Sequence, residues 1–227
     1  MRVIATGTGR CGTKTMAEFF RSQGWTSFHE RNNRPMVFNC HDAFYNSRKR
    51  MPVAKAELKE MTADKYFEAN CHFFPFIREF HKLDPDMKFI ILIRDKNEFI
   101  KSGSFRKWYR TESHHDKNRL HPPDTITKQE EQIAWLWSET NRFILAQLKE
   151  LPSASYLIIH THEFKHPETL EPKIQQFIGI DIEKGKFNWA NKHNKNKYPA
   201  APPKHIRRGR RGRRRPTIGR RKESKFL

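Results

Sequence analysis

Short apolar runs alternate with longer amphipathic stretches along residues 1–187. Val3-Ile4-Ala5-Thr6 is the first run, and four small or apolar residues ahead of a glycine predict a buried strand. Thr13 to Phe20 then reads as the opening of a helix. Trp25-Thr26-Ser27-Phe28 and Lys65-Tyr66-Phe67 predict two more short strands. Met87-Lys88-Phe89-Ile90-Ile91-Leu92-Ile93 is almost wholly apolar, the pattern of a strand buried on both faces of a parallel sheet. Ser155 to His160 repeats that pattern. Helices are predicted near Pro75 to Lys82 and from Pro167 to Ile178, where Gly179 supplies the stop. A long one runs from Lys128 to Leu148, with Ile133, Leu136, Trp137, Ile144, Leu145 and Leu148 at helical spacing. The alternation predicts an α/β chain: one three-layer α/β/α domain over residues 1–187 with a central, mainly parallel sheet. Ligands of such sheets bind at the carboxyl ends of the strands. Thr6–Lys14, Glu30, His72 and Arg94 all fall at predicted strand ends and can therefore converge.

The turn after the first strand carries the most chemistry. Gly7-Thr8-Gly9-Arg10-Cys11-Gly12-Thr13-Lys14-Thr15 has the layout of a phosphate-binding loop, which makes the predicted domain P-loop-like. Glycines let the backbone approach an anion, and the helix N-terminus adds positive potential. The nucleotide triphosphatase pattern needs Lys directly after the second glycine, and here Lys14 comes one place late. Gly7, Gly9 and Gly12 also fit a dinucleotide G-x-G-x-x-G, but no acidic residue ends a clear second strand. A plain strand-to-helix turn is the remaining reading.

Arg94 ends the apolar strand, and Ser102 stands eight residues on, along the following helix. A guanidinium fork and a hydroxyl at that spacing can hold one phosphate between them. With both segments in view, the chain resembles the sulfotransferases that use 3′-phosphoadenosine 5′-phosphosulfate (PAPS). Gly9-Arg10-Cys11-Gly12-Thr13-Lys14 is similar to that family's 5′-phosphosulfate loop, and Ile91-Leu92-Ile93-Arg94-Asp95 through Ser102 to its 3′-phosphate motif. The resemblance covers residues 1–180, weakly in its later segments. The family often has Lys at the position of Arg10, Ser at that of Cys11, Thr at that of Lys14 and Pro at that of Lys96.

The resemblance implies transfer of a sulfuryl group from PAPS to an acceptor hydroxyl, with no metal required. Residues 9–15, Gly9, Arg10, Cys11, Gly12, Thr13, Lys14 and Thr15, would receive the 5′-phosphosulfate. Arg10 would stabilise the leaving phosphate, and Arg94 and Ser102 would hold the 3′-phosphate. A base is needed for the acceptor, and many relatives carry a Glu or His after the first helix at the distance of His29-Glu30. Glu30 is the first choice, His29 the second, and His72 a third; a pair of solvated turn residues is the plain alternative. Asn70 and His72 would help bind the acceptor, and Asn39-Cys40-His41-Asp42 would line its pocket or form a polar loop. Variable loops 31–64 and 105–127 would build that pocket, and Arg31, Arg34, Arg48, Lys49, Arg50 and Arg106 in them point to a glycan or another anionic acceptor. His114-His115-Asp116 and His160-Thr161-His162 lack a third ligand at metal-site spacing.

Composition adds a basic tail. Of 20 net positive charges, residues 204–227 carry eleven through nine Arg, three Lys and one Glu, which leaves nine on the body. Asn188 to Pro203 reads as an exposed Pro/Asn/Lys linker, and the tail beyond it as disordered, since like charges repel and nothing apolar packs. Such a tail suits a polyanion or nucleic acid. Arg207-Arg208-Gly209 loosely matches a stretch with which some relatives bind the cofactor's 3′-phosphate. Three cysteines, Cys11, Cys40 and Cys71, suggest a reducing compartment, and Cys11 at a helix N-terminus beside Arg10 is expected to favour its thiolate. No signal peptide or run of about 20 apolar residues is evident, so the expectation is a cytoplasmic protein without a transmembrane segment. Two rival functions remain open at this point. A P-loop nucleotide kinase would need a magnesium-binding acid, for which Asp95 is the one candidate. A non-enzymatic nucleic-acid-binding protein would act through the tail alone.

Overall fold

The computed structural model describes residues 1–31, 33–111 and 114–190, the side chains of residues 33, 34, 114 and 115 excepted. Strands β1 (Arg2–Gly7), β2 (Thr26–His29), β3 (Tyr66–Ala69), β4 (Lys88–Ile93) and β5 (Tyr156–His160) form one sheet in the order β2-β3-β1-β4-β5. Every neighbouring pair is parallel, so helices must carry the chain back between strands. Helix α1 (Thr13–Ser22) returns from β1, α2 (Asn33–Tyr45) and α3 (Arg50–Lys59) from β2, and α4 (Ile77–Leu83) from β3. Helices α5 (Lys96–Phe105), α6 (His114–Lys117) and α7 (Gln129–Leu148) lead from β4 to β5, and α8 (Pro167–Ile178) follows.

Alternation along the strands makes the three layers. Val3, Ala5, Ile90 and Leu92 pack with Met16, Phe19 and Phe20 of α1 and with Leu170 and Ile174 of α8. Ile4, Phe89 and Ile91 pack on the opposite face with residues of α2, α4, α5 and α7. Each fully buried aliphatic or aromatic side chain contributes about 1.5–3 kcal/mol, which fixes the strand register tightly. Strands β2 and β3 lie on one side of β1 and β4 and β5 on the other, so the chain's direction switches beside the end of β1. That is where such sheets open a crevice.

The structure departs from the sequence reading in three places. Residues 31–64 are largely helical, and Asn39–Asp42 lies within α2, not in a polar loop. Glu68 and Ala69 belong to β3. Trp189 is buried, packs on Phe19 with ring centroids 4.8 Å apart and donates its indole N–H to Glu171 at 2.8 Å, so the packed body runs past Asn188. An apolar aromatic two residues beyond Phe187 is held by the core whatever its polar neighbours suggest. The tail, with Arg207-Arg208-Gly209 and the linker beyond residue 190, lies outside the described residues, as do the side chains of Arg34, His114 and His115. No described helix is long and apolar enough to cross a membrane.

Candidate active site

Gly9, Arg10 and Gly12 all have positive φ, at 78°, 54° and 88°, so the loop after β1 curls in left-handed steps. Gly7 is required for a different reason, since a Cβ there would stand 2.3 Å from the Leu92 carbonyl oxygen of β4. A Cβ on Gly12 would stand 2.2 Å from the Phe164 ring. Gly12 is also the N-cap of α1, and neither a capping side chain nor an acidic residue satisfies that helix's first turn. Its backbone N–H groups and positive helix end are those of an anion site.

Arg94 braces this loop from β4. Its Nη1 donates to the Arg10 carbonyl at 3.1 Å, its Nε donates to Glu98 at 3.3 Å, and its own carbonyl accepts the Trp137 indole N–H at 2.9 Å. Ser102 is half-buried on α5. Asp95 caps α5 by accepting the Glu98 N–H at 2.9 Å, so its carboxylate has a local role.

The end of β2 brings His29 and Glu30 to the same place. His29 Nε2 is 3.1 Å from Thr13 Oγ1 and 3.9 Å from Glu30 Oε1. Burial pulls the His29 pKa below its usual 6.5, with Glu30 opposing, which favours a neutral ring. Glu30 has φ of 52°, and its Oε1 accepts a hydrogen bond from the Cys71 thiol at 3.3 Å. The next residue anchors the turn: Arg31 donates to the Tyr66 hydroxyl at 3.1 Å and to Glu68 and Glu57 at 3.4 Å each. Glu68 is fully buried, and burial raises its pKa. It accepts from the Tyr66 hydroxyl at 2.7 Å and from Asn70 at 3.2 Å. Asn70 Oδ1 in turn accepts the His72 backbone N–H at 3.0 Å and caps the 3-10 turn Cys71–Phe76. One buried network therefore holds the ends of β2 and β3 in register with each other.

A cavity of about 410 Å³ opens over these strand ends. Gly9, Arg10, Gly12, Thr13, His29, Glu30 and His72 line it together. Cys11, Lys14, Thr15, Arg94 and Ser102 do not line it. Arg94 meets the loop from behind through the Arg10 carbonyl. The rest of the lining comes from Val37 and Cys40 of α2, the turn after β3, residues between Arg106 and Thr111 and between Asp116 and Leu120, and Leu136 and Thr140 of α7. Sequence reasoning named Arg106 and the 105–127 stretch but missed Arg119, whose signal was an arginine near the aromatic pair Trp108-Tyr109.

The thiol expectation is corrected. Cys11 is fully buried among Val3, Ala5 and Leu92, and burial pushes its pKa up to about 12 despite backbone N–H donors. Desolvation outweighs the helix N-terminus. Cys40 and Cys71 are raised by burial as well.

The sulfotransferase domain family matches residues 2–163 of the chain. Among solved structures, the fold is similar to the sulfotransferase domain from the curacin biosynthetic pathway, with TM-score 0.56 and 12% identity over 84% of this chain and 77% of that one. It is similar to the sulfotransferase domain of the Synechococcus PCC 7002 olefin synthase, with TM-score 0.52 and 14% identity over 84% and 77% of the two chains. A sulfotransferase from Alicyclobacillus acidocaldarius has TM-score 0.50 and 12% identity over 79% and 81%. Curated protein sequences give no match. The family match spans well over half of the chain and the three-layer fold agrees with it, so this protein belongs to the sulfotransferase family.

Proposed function

We propose that the protein transfers a sulfuryl group from PAPS to an acceptor hydroxyl held in the cavity. The observation that carries this reading is the convergence of an uncapped, glycine-built helix N-terminus, Arg10 and the His29-Glu30 turn around one space. The loop suits a phosphosulfate: its tight turns at Gly7 and Gly12 admit no Cβ, which would meet the Leu92 carbonyl and the Phe164 ring, and no side chain caps the helix that follows. PAPS, when bound, supplies the activated sulfuryl group and a phosphate leaving group.

The loop's N–H groups and Arg10 stabilise charge as it gathers on the oxygen between phosphate and sulfur. Arg94 and Ser102 hold the 3′-phosphate, with Arg94 also fixing the loop through the Arg10 carbonyl. Glu30 takes the acceptor proton as the acceptor oxygen bonds to sulfur and the bond from sulfur to the phosphate oxygen breaks. The Cys71 thiol, donating to Oε1, fixes the rotamer of that carboxylate. His29, neutral and bonded to Thr13, joins the base to the loop. His72 lines the cavity on the acceptor side; Asn70, expected beside it, is instead fully buried and caps the turn that carries His72.

Calorimetric titration of the full chain with 3′-phosphoadenosine 5′-phosphate (PAP), run beside ATP at moderate salt, tests the reading. Micromolar binding that prefers PAP supports it. Equal, weak binding of both nucleotides that disappears with added salt refutes it.

A further inference from the structure

Arg119 is a partly buried cation with few hydrogen-bond partners among the described residues. It lines the cavity, and its side chain is 17% exposed. The guanidinium lies 4.0 Å over the Trp108 ring and 5.9 Å from that of Tyr109. Its Nε donates to Asp116 Oδ1 at 3.4 Å. That carboxylate already accepts the backbone N–H groups of Tyr109 at 2.9 Å and Thr111 at 3.1 Å. Among the described residues, no group accepts a hydrogen bond from either terminal nitrogen of Arg119. Burial disfavours the cation and lowers its pKa. A guanidinium held this way keeps an open planar fork, the geometry that matches a carboxylate. Arg106 also lines the cavity, with no carboxylate partner among the described residues.

The same cavity has apolar lining in Val37, Phe74, Leu120, Leu136 and the Trp108 ring, beside the polar side chains of Thr111, Asn118 and Thr140. Cys71, whose thiol bonds to Glu30, lines the same cavity. A ligand with one polar group at each end and an apolar body satisfies all three regions.

We infer that the acceptor is a hydroxy acid, its hydroxyl at Glu30, its apolar body against Trp108 and Leu136, and its carboxylate in the fork of Arg119. This rests on the sulfotransfer reading of the same site. Arg119 is then a specificity-determining residue, and the donor does not use it.

Matched probes test the inference by calorimetry on the full chain, with and without PAP. 4-Hydroxyphenylacetate is compared with 4-hydroxyphenylacetamide, and 8-hydroxyoctanoate with 8-hydroxyoctanamide. The acids should bind at least about tenfold tighter than the amides, the value of one charge-assisted pair. Arg119→Gln should erase that preference while leaving PAP affinity unchanged. Arg119→Lys, which keeps the charge and loses the fork, should retain part of the preference and serves if the Gln variant fails to fold. Acids and amides binding alike, neither binding at millimolar concentration, or a preference undiminished in Arg119→Gln or, where that fails to fold, in Arg119→Lys would overturn the inference. So would loss of PAP affinity in Arg119→Gln, which would give Arg119 to the donor. If wild-type protein fails to bind PAP, the donor reading fails, while the acid-against-amide comparison without PAP still judges Arg119.

Discussion

The two walls of the cavity are built in opposite ways. The donor wall is one contiguous stretch, Gly7 to Thr13, in which left-handed backbone and an uncapped helix do most of the work. The wall proposed for the acceptor is assembled from α2, the turn after β3, residues 106–111 and 116–120 and α7, and there side chains carry the chemistry. A backbone site recognises a feature that every donor shares, a phosphate. A side-chain wall can be changed residue by residue without disturbing the loop. Each wall should therefore fail separately.

Glu68→Ala strikes the acceptor side hardest. It leaves Arg31, the Tyr66 hydroxyl and Asn70 short of an acceptor in a buried site, a loss of about 3 kcal/mol in denaturant unfolding. Turnover should fall as the Glu30 turn loosens, while PAP affinity stays close to wild type. Glu30→Gln should lower turnover about a hundredfold or more, again with PAP binding retained; retained turnover would move the base to His29 or His72. Gly12→Ala inverts the pattern. Its Cβ meets the Phe164 ring and a φ of 88°, so stability should fall by about 2 kcal/mol and PAP binding with it.

The smallest effect is in pH dependence. Because burial lowers the His29 pKa, the unfolded chain takes up that proton first. His29 therefore contributes full stability above its unfolded value of 6.5, and stability is lost as pH falls below that value. Thermal melts from pH 7.5 to 5 should show a shallower decline in His29→Gln than in the wild type.

This contrast also explains what could be read from the residues in order. The loop was legible because all its parts are neighbours in sequence: glycines at fixed offsets, a basic residue and a helix start. Glu30 and His72 were legible because they follow strands whose apolar patterns are clear. Arg119 was not, because its stacking on Trp108 bridges eleven positions in a stretch without periodicity. Cys11 misled because position at a helix N-terminus is visible in sequence, whereas the direction of its side chain into the core beside Leu92 is not. Alkylation by iodoacetamide at pH 8 should accordingly leave Cys11 unmodified in the folded protein and label it on unfolding. The α2 and α3 helices are not legible because their apolar residues lack a clear helical stripe; Met36, Cys40, Ala43 and Ala54 are ordered by packing with Phe73 and Phe76.

The most direct test of the account is the discrimination between PAP and adenosine 5′-phosphate, measured by calorimetry in wild type and Arg94→Ala. The account predicts that wild type prefers PAP by about tenfold or more, since a charge-assisted contact to the 3′-phosphate is worth that much, and that Arg94→Ala loses the preference. A preference that persists undiminished without Arg94, or no preference in the wild type, would contradict the division of the donor's phosphates between the loop and the end of β4.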